Sequence, residues 1–205
     1  MKERPILFSA PMVRAILEGQ KTATRRPVKG AAAKWLIDFT PEFVADSANA
    51  LCPYGAPGDR LWVREAWQAD AQVNAVAPRD LSQGEPIQYP ANGVVRQTGC
   101  SIITPGKTRP SIHMPRWVSR ILLEVTAVRV ERLHDIDEDQ VQAEGIGDHE
   151  FGCMQPYDQD GAPECDCCNI SFEESFQRLW ETINGADAWS ANPWVWVIEF
   201  KRVKQ

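Results

Sequence analysis

The stretch from Trp117 to Leu133, WVSRILLEVTAVRVERL, alternates apolar and polar residues over part of its length and is rich in β-branched side chains. It predicts one long strand, and a strand of that length needs neighbours in a sheet. The apolar runs that can supply them are short and far apart: Ile6 to Phe8, Leu61 to Val63 and Trp194 to Phe200. Between them lie helical patterns. Met12, Val13, Ile16 and Leu17 recur at helical spacing between Ser9, a plausible N-cap, and Gly19, a stop. DEDQVQAEG from Asp137 to Gly145 has acids in its first turn and a terminal Gly. Ser171 and Glu174 form a capping box ahead of Phe172, Phe176, Leu179, Trp180 and Ile183, one apolar face. Ala31 to Phe39 fits a short helix or a strand. This order, without an internal repeat, predicts a compact α+β barrel over an alternating parallel sheet.

With 205 residues, 43% of them hydrophobic, the chain can bury one core, or one core plus an insertion. A single domain over residues 1–205 is therefore expected, with insertions at about 69–109 and 148–170. The first insertion reads as a long excursion with a few short strands. No apolar run is long enough for a membrane helix and the first residues do not read as a secretory signal, so a cytoplasmic protein with no membrane partner is expected.

The formal charge of -6 argues against general phosphate binding. The average hides an asymmetry: 18 Lys and Arg stand against 12 Asp and Glu through His134, then 4 against 16 from Asp135 onward. The basic part could meet an anion; the acidic part reads equally as a solubilising face.

KTATRRP, following the first helical pattern, reads as a polar loop carrying Lys21, Thr22, Thr24, Arg25 and Arg26, either an anion site or a solvated turn. Glu65 ends an apolar strand between Trp62 and Trp67 and next to Arg64, where burial would perturb a carboxylate. A water-deprived lysine can deprotonate a threonine hydroxyl while a nearby carboxyl group donates to a leaving amine, so Lys21, Thr24 and Glu65 could form a hydrolytic set. The same residues read otherwise as a Lys–Glu ion pair bracing the loop against the sheet. Arg116, next to Trp117, is the favoured cationic lining residue, with Arg25 and Arg26 as partners; an exposed indole beside it could stack a base. His113 and His134 stand alone and are assigned no role.

His149 and Cys153 are spaced H-x3-C, and Cys165 and Cys168 form C-x2-C. The four suit a structural tetrahedral zinc that staples the second insertion, or they are ordinary reduced thiols and an imidazole. No cofactor is expected for catalysis.

The ordered segments PILFSAPMVRAILEGQKTATRR, GDRLWVREAW, PSIHMPRW with VTAVRVERL, and NPWVWVIEF resemble the ASCH domain, particularly its phage and prophage form. The resemblance implies a PUA-like β-barrel with short flanking helices and a cleft beside the first helix, with RNA or a nucleoside as partner. Small members similar to it are amidohydrolases that deacylate N(4)-acetylcytidine through a Lys and Thr of a K-T-x-T loop and a Glu, which fall on Lys21, Thr24 and Glu65. Arg64 and Trp117 join the expected substrate contacts. Other members are ribonucleases, and a non-catalytic RNA or modified-base binding module is the competing expectation.

Overall fold

The computed structural model describes residues 1–97, 102–146 and 171–203. Its elements are β1 (Glu3–Leu7), α1 (Ala10–Glu18), β2 (Ala23–Pro27), α2 (Ala31–Trp35), α3 (Pro41–Ala45), β3 (Arg60–Arg64), β4 (Gln68–Ala69), β5 (Ile87–Tyr89), β6 (Val94–Arg96), β7 (Leu122–Arg132), α4 (Glu138–Ala143), α5 (Phe172–Asn184) and β8 (Trp194–Val203), linked by short 3-10 turns.

The main sheet runs β1-β3-β7-β8-β2, with β1 parallel to β3 and the other pairs antiparallel. β7 is its spine. A register shift between Val125 and Ala127 bends it, so its first residues pair with β3 while its whole length follows β8. Among the described residues no ladder joins the edge strands β1 and β2. A side chain does: the Arg26 guanidinium on β2 donates to the Leu7 carbonyl at the end of β1, at 2.7 Å. The described residues therefore form a mixed α+β fold with two sheets.

Two expectations need correction. KTATRRP is not a loop, because Ala23–Pro27 pairs residue for residue with Val195–Glu199 and buries Ala23, Thr24 and Arg25. Its polarity misleads because ion pairs, not apolar contacts, satisfy the buried Lys21 and Arg25 side chains. The strand expected from Trp117 begins instead at Leu122: Pro115 opens a 3-10 turn over Arg116–Val118, and the buried Ser119 hydroxyl donates to the Val63 carbonyl.

Among the described residues three apolar clusters form the core. The largest packs Met12, Val13 and Ile16 of α1 against Ile6, Leu61, Val63, Leu123, Val125, Trp196 and Ile198. A second sits under the antiparallel sheet β4-β5-β6, where Trp67, Leu81, Ile87, Tyr89, Met114 and Val118 meet. The excursion from Ala69 to Arg109 thus has a core of its own, closed where Trp67 and Arg109 exchange backbone hydrogen bonds at 3.2 and 2.8 Å. The Arg109 guanidinium lies against the Trp67 ring and donates to the carbonyls of Val73 and Val76. A few such anchors replace periodicity, so no pattern announces this sheet. The third cluster seats α5 by Phe176 and Trp180 on Leu133, Val141, Val195 and Val197, each large side chain contributing about 1.5–3 kcal/mol by burial. Ser171 caps α5 by accepting from the Glu174 N–H. Among the described residues no helix is long and apolar enough to cross a membrane.

Candidate functional site

The site forms where the end of α1, the start of β2 and the end of α4 converge. α1 stops at Gly19, whose φ of 83° turns the chain so that the amides of Gln20 and Lys21 both donate to the Ala15 carbonyl. Lys21 is thereby aimed inward under the helix it has just left. From the other side α4, capped by the Asp137 carboxylate at the Gln140 amide, delivers Glu144 at its C-terminus. The Thr22 amide donates to the Ala143 carbonyl at 2.8 Å, and residues 21 and 144 form an isolated β-bridge.

Gly145 makes this approach possible. Its φ is 84°, and a Cβ there would lie 2.9 Å from the Cβ atoms of both Ala15 and Lys21. A side chain at this position would push α4 away from α1.

The Lys21 ammonium donates to the Glu144 carboxylate at 2.6 Å and to its backbone carbonyl at 2.7 Å. Both residues are almost wholly buried, at 2% and 4% exposure. Burial pushes the Lys21 ammonium below the ordinary lysine range; Glu144 opposes that, and the positive charges of Arg26 and Arg25 add to it. The other Glu144 oxygen accepts from Arg25 at 3.4 Å. Arg25 is held in turn by Glu131 at 2.6 Å and by the Gln140 side-chain oxygen, and Glu131 accepts from Arg129, which also pairs with Glu199.

Thr24 and Glu144 line one cleft with Arg25, Arg26 and Pro27. Met12 of α1 and Phe176, Leu179, Trp180, Ile183 and Asn184 of α5 form its other wall. Thr24 is buried as a residue, and its hydroxyl makes no hydrogen bond among the described residues. The cleft therefore offers an uncommitted hydroxyl beside a carboxylate that is locked to a desolvated lysine, opposite an apolar face.

Glu65 does not belong to this group. It is buried at the end of β3, but its two oxygens accept from Arg120 at 2.9 and 2.8 Å, a bidentate pair. Arg120 also donates to the Asn92 side chain and lies 4.0 Å from the centre of the Tyr89 ring, whose hydroxyl donates to the Val118 carbonyl. This cluster fastens the β5–β6 turn to the main sheet. The carboxylate joined to Lys21 is Glu144, so the bracing ion pair exists with a different acid.

Arg64 and Arg116 gather around Trp62, at 4.9 and 5.9 Å from its ring. Arg64 donates to the Met114 carbonyl, and Arg116 pairs with Glu3 at 2.9 Å and holds that carboxyl below its usual range. Trp117 is half-buried under Arg96. None of these lines the cleft beside Thr24. His149, Cys153, Cys165 and Cys168 lie outside the described residues. Among the described ones no group of His, Cys, Asp and Glu is arranged to hold a metal.

Sequence reading passed over Glu144, Glu131 and Arg120. One signal for Glu144 exists: an acid directly before a helix-ending glycine faces the negative end of the helix dipole and calls for a cation. Compared with known proteins, the chain matches no family model, no curated protein sequence and no solved structure.

Proposed function

We propose that the chain is an ASCH-type, PUA-like protein whose cleft hydrolyses an amide on a modified pyrimidine, most simply N(4)-acylated cytidine, with Lys21, Thr24 and Glu144 as its working set. The observation behind this reading is the buried Lys21–Glu144 pair, 2.6 Å long, whose Glu144 lines the same cleft as Thr24. The barrel reading draws support from the Arg26 side chain that ties the two edge strands.

Thr24 supplies the nucleophile. The Lys21–Glu144 pair takes the hydroxyl proton as the oxygen attacks the acyl carbon, then returns it to the departing exocyclic nitrogen when the C–N bond breaks. Water attacks the resulting threonine ester, releases the carboxylic acid and restores the hydroxyl. Desolvation favours this role for Lys21, since a lysine kept from water gives up its proton more readily. Glu144, rather than Glu65, is the acid for this chemistry because it alone of the two touches Lys21.

A binding module that grips a nucleoside or RNA without breaking a bond uses the same cleft. Hydrolysis of N(4)-acetylcytidine, followed by ultraviolet absorbance, separates the two readings. Thr24→Ala is expected to lose turnover by more than about 100-fold while ligand affinity stays within about tenfold. Full turnover in Thr24→Ala removes the nucleophile assignment, and absence of turnover in the wild type with binding intact favours the module.

A further inference from the structure

A second recess lies beside the Thr24 cleft and shares only Arg25 with it. β2, β7, β8 and the end of α4 surround a cavity of about 300 Å³ there, enough for a compact ligand. Two features of the sequence open it. Ala23 and Ala143 line it with small side chains, and the register shift in β7 leaves Thr126 without a ladder partner, on the cavity wall.

The charges around this cavity are already balanced. Lys21, Glu144, Arg25, Glu131, Arg129 and Glu199 pair in that order, so three cations alternate with three carboxylates along one chain of contacts. An incoming ion would find every opposite charge taken and a like charge beside it. Uncharged hydrogen-bonding capacity remains, at the partly exposed end of that chain. Arg129 gives its Nε to Glu131 and its Nη1 to one Glu199 oxygen. Its Nη2 and the other Glu199 oxygen make no hydrogen bond among the described residues. Gln140, on the same wall, accepts from the almost wholly buried Arg25 through its side-chain oxygen and keeps its amide N–H groups. Thr22 and Thr126 add hydroxyls that both donate and accept.

The geometry points to a non-catalytic site for an uncharged amino-substituted nucleobase, cytosine or adenine. Glu199 accepts from the exocyclic amine, and Arg129 or Gln140 donates to the neighbouring ring nitrogen. An amine beside an acceptor is the edge that these two bases share. Uracil and hypoxanthine carry a carbonyl where the amine stands, which would set two acceptors against each other at Glu199. The site goes beyond the hydrolysis proposed at Thr24 and does not depend on it.

The test measures binding of cytidine, adenosine, uridine and inosine to the full chain by isothermal titration, with amide NMR to locate each ligand. Cytidine is expected to bind about tenfold more tightly than uridine, or adenosine than inosine, and whichever pair shows the preference tells whether a pyrimidine or a purine fits. The Thr126 and Gln140 amide signals should move on binding. Glu199→Gln, whose carboxamide donates as well as accepts, is expected to bring the amino and carbonyl members within about twofold of each other. No preference within either pair, a preference that survives Glu199→Gln, or shifts confined to Leu179 and Ile183 of the Thr24 cleft overturns the inference. Amine-selective binding at Thr126 without turnover of N(4)-acetylcytidine overturns the hydrolase reading alone, and turnover without such binding overturns this site alone. The wild-type comparison decides even if Glu199→Gln fails to fold.

Discussion

Gly145→Ala puts the packing that builds the site to a quantitative test. Two separate costs act there. The backbone sits at φ 84°, a conformation that costs a non-glycine residue about 1–2 kcal/mol. The new methyl would also lie 2.9 Å from Ala15 Cβ and 2.9 Å from Lys21 Cβ, and relieving that contact means separating α1 from the end of α4, an overpacking cost of about 1–3 kcal/mol. The expected loss is therefore about 2–5 kcal/mol. Gly19 is the matched control: its φ is 83°, but a Cβ there meets nothing within 4 Å, so Gly19→Ala should lose only the backbone part. Urea unfolding of the two variants beside the wild type reads both values from the shift in midpoint at constant slope. By temperature the clash should appear as a further drop of about 2–12 °C in Gly145→Ala relative to Gly19→Ala. Equal losses in the two variants would refute the tight approach at Gly145, and with it the account of how Glu144 reaches Lys21. Gly145→Ala should also impair the cleft, because the same displacement lengthens the 2.6 Å ion pair.

Two further outcomes are expected. Glu65→Gln and Arg120→Met should each destabilise the fold, by about 3–5 kcal/mol when one member of the buried pair is left alone, while cleft ligand affinity in the folded protein stays within a few-fold of wild type; a specific loss of affinity in folded Glu65→Gln would return Glu65 to the site. The Lys21 ammonium lies below its unfolded pKa in the folded protein, so between the two values the unfolded chain binds more protons and stability contributed by this group rises with pH towards the ordinary lysine value near ~10.4. The stability difference between wild type and Lys21→Met, measured by denaturant midpoint across alkaline pH, should therefore shift in favour of the wild type as pH increases; a shift in the opposite direction would mean that Glu144 raises the lysine more than burial lowers it.

The sequence by itself determined the elements whose patterns are local. α1 runs from the residue after Ser9 to the residue before Gly19, α5 starts at the Ser171 cap, and the closing strand contains Trp194 to Phe200. These follow from side-chain periodicity and from cap and glycine chemistry, which act within a few residues. Lys21 and Thr24 were also legible as chemically unusual neighbours. Only the tertiary structure decided that Ala23–Pro27 is a strand with a buried start, because the buried Lys21 and Arg25 side chains are satisfied by Glu131, Gln140 and Glu144, more than 100 positions away in the chain. Which acid meets Lys21 was likewise decided by packing. Both are buried acids near aromatic residues, and nothing local tells which will meet Lys21 and which Arg120. Ion pairing depends on distance in space, and that distance was fixed by the left-handed turn at Gly145 and by the seat of α4 against β2.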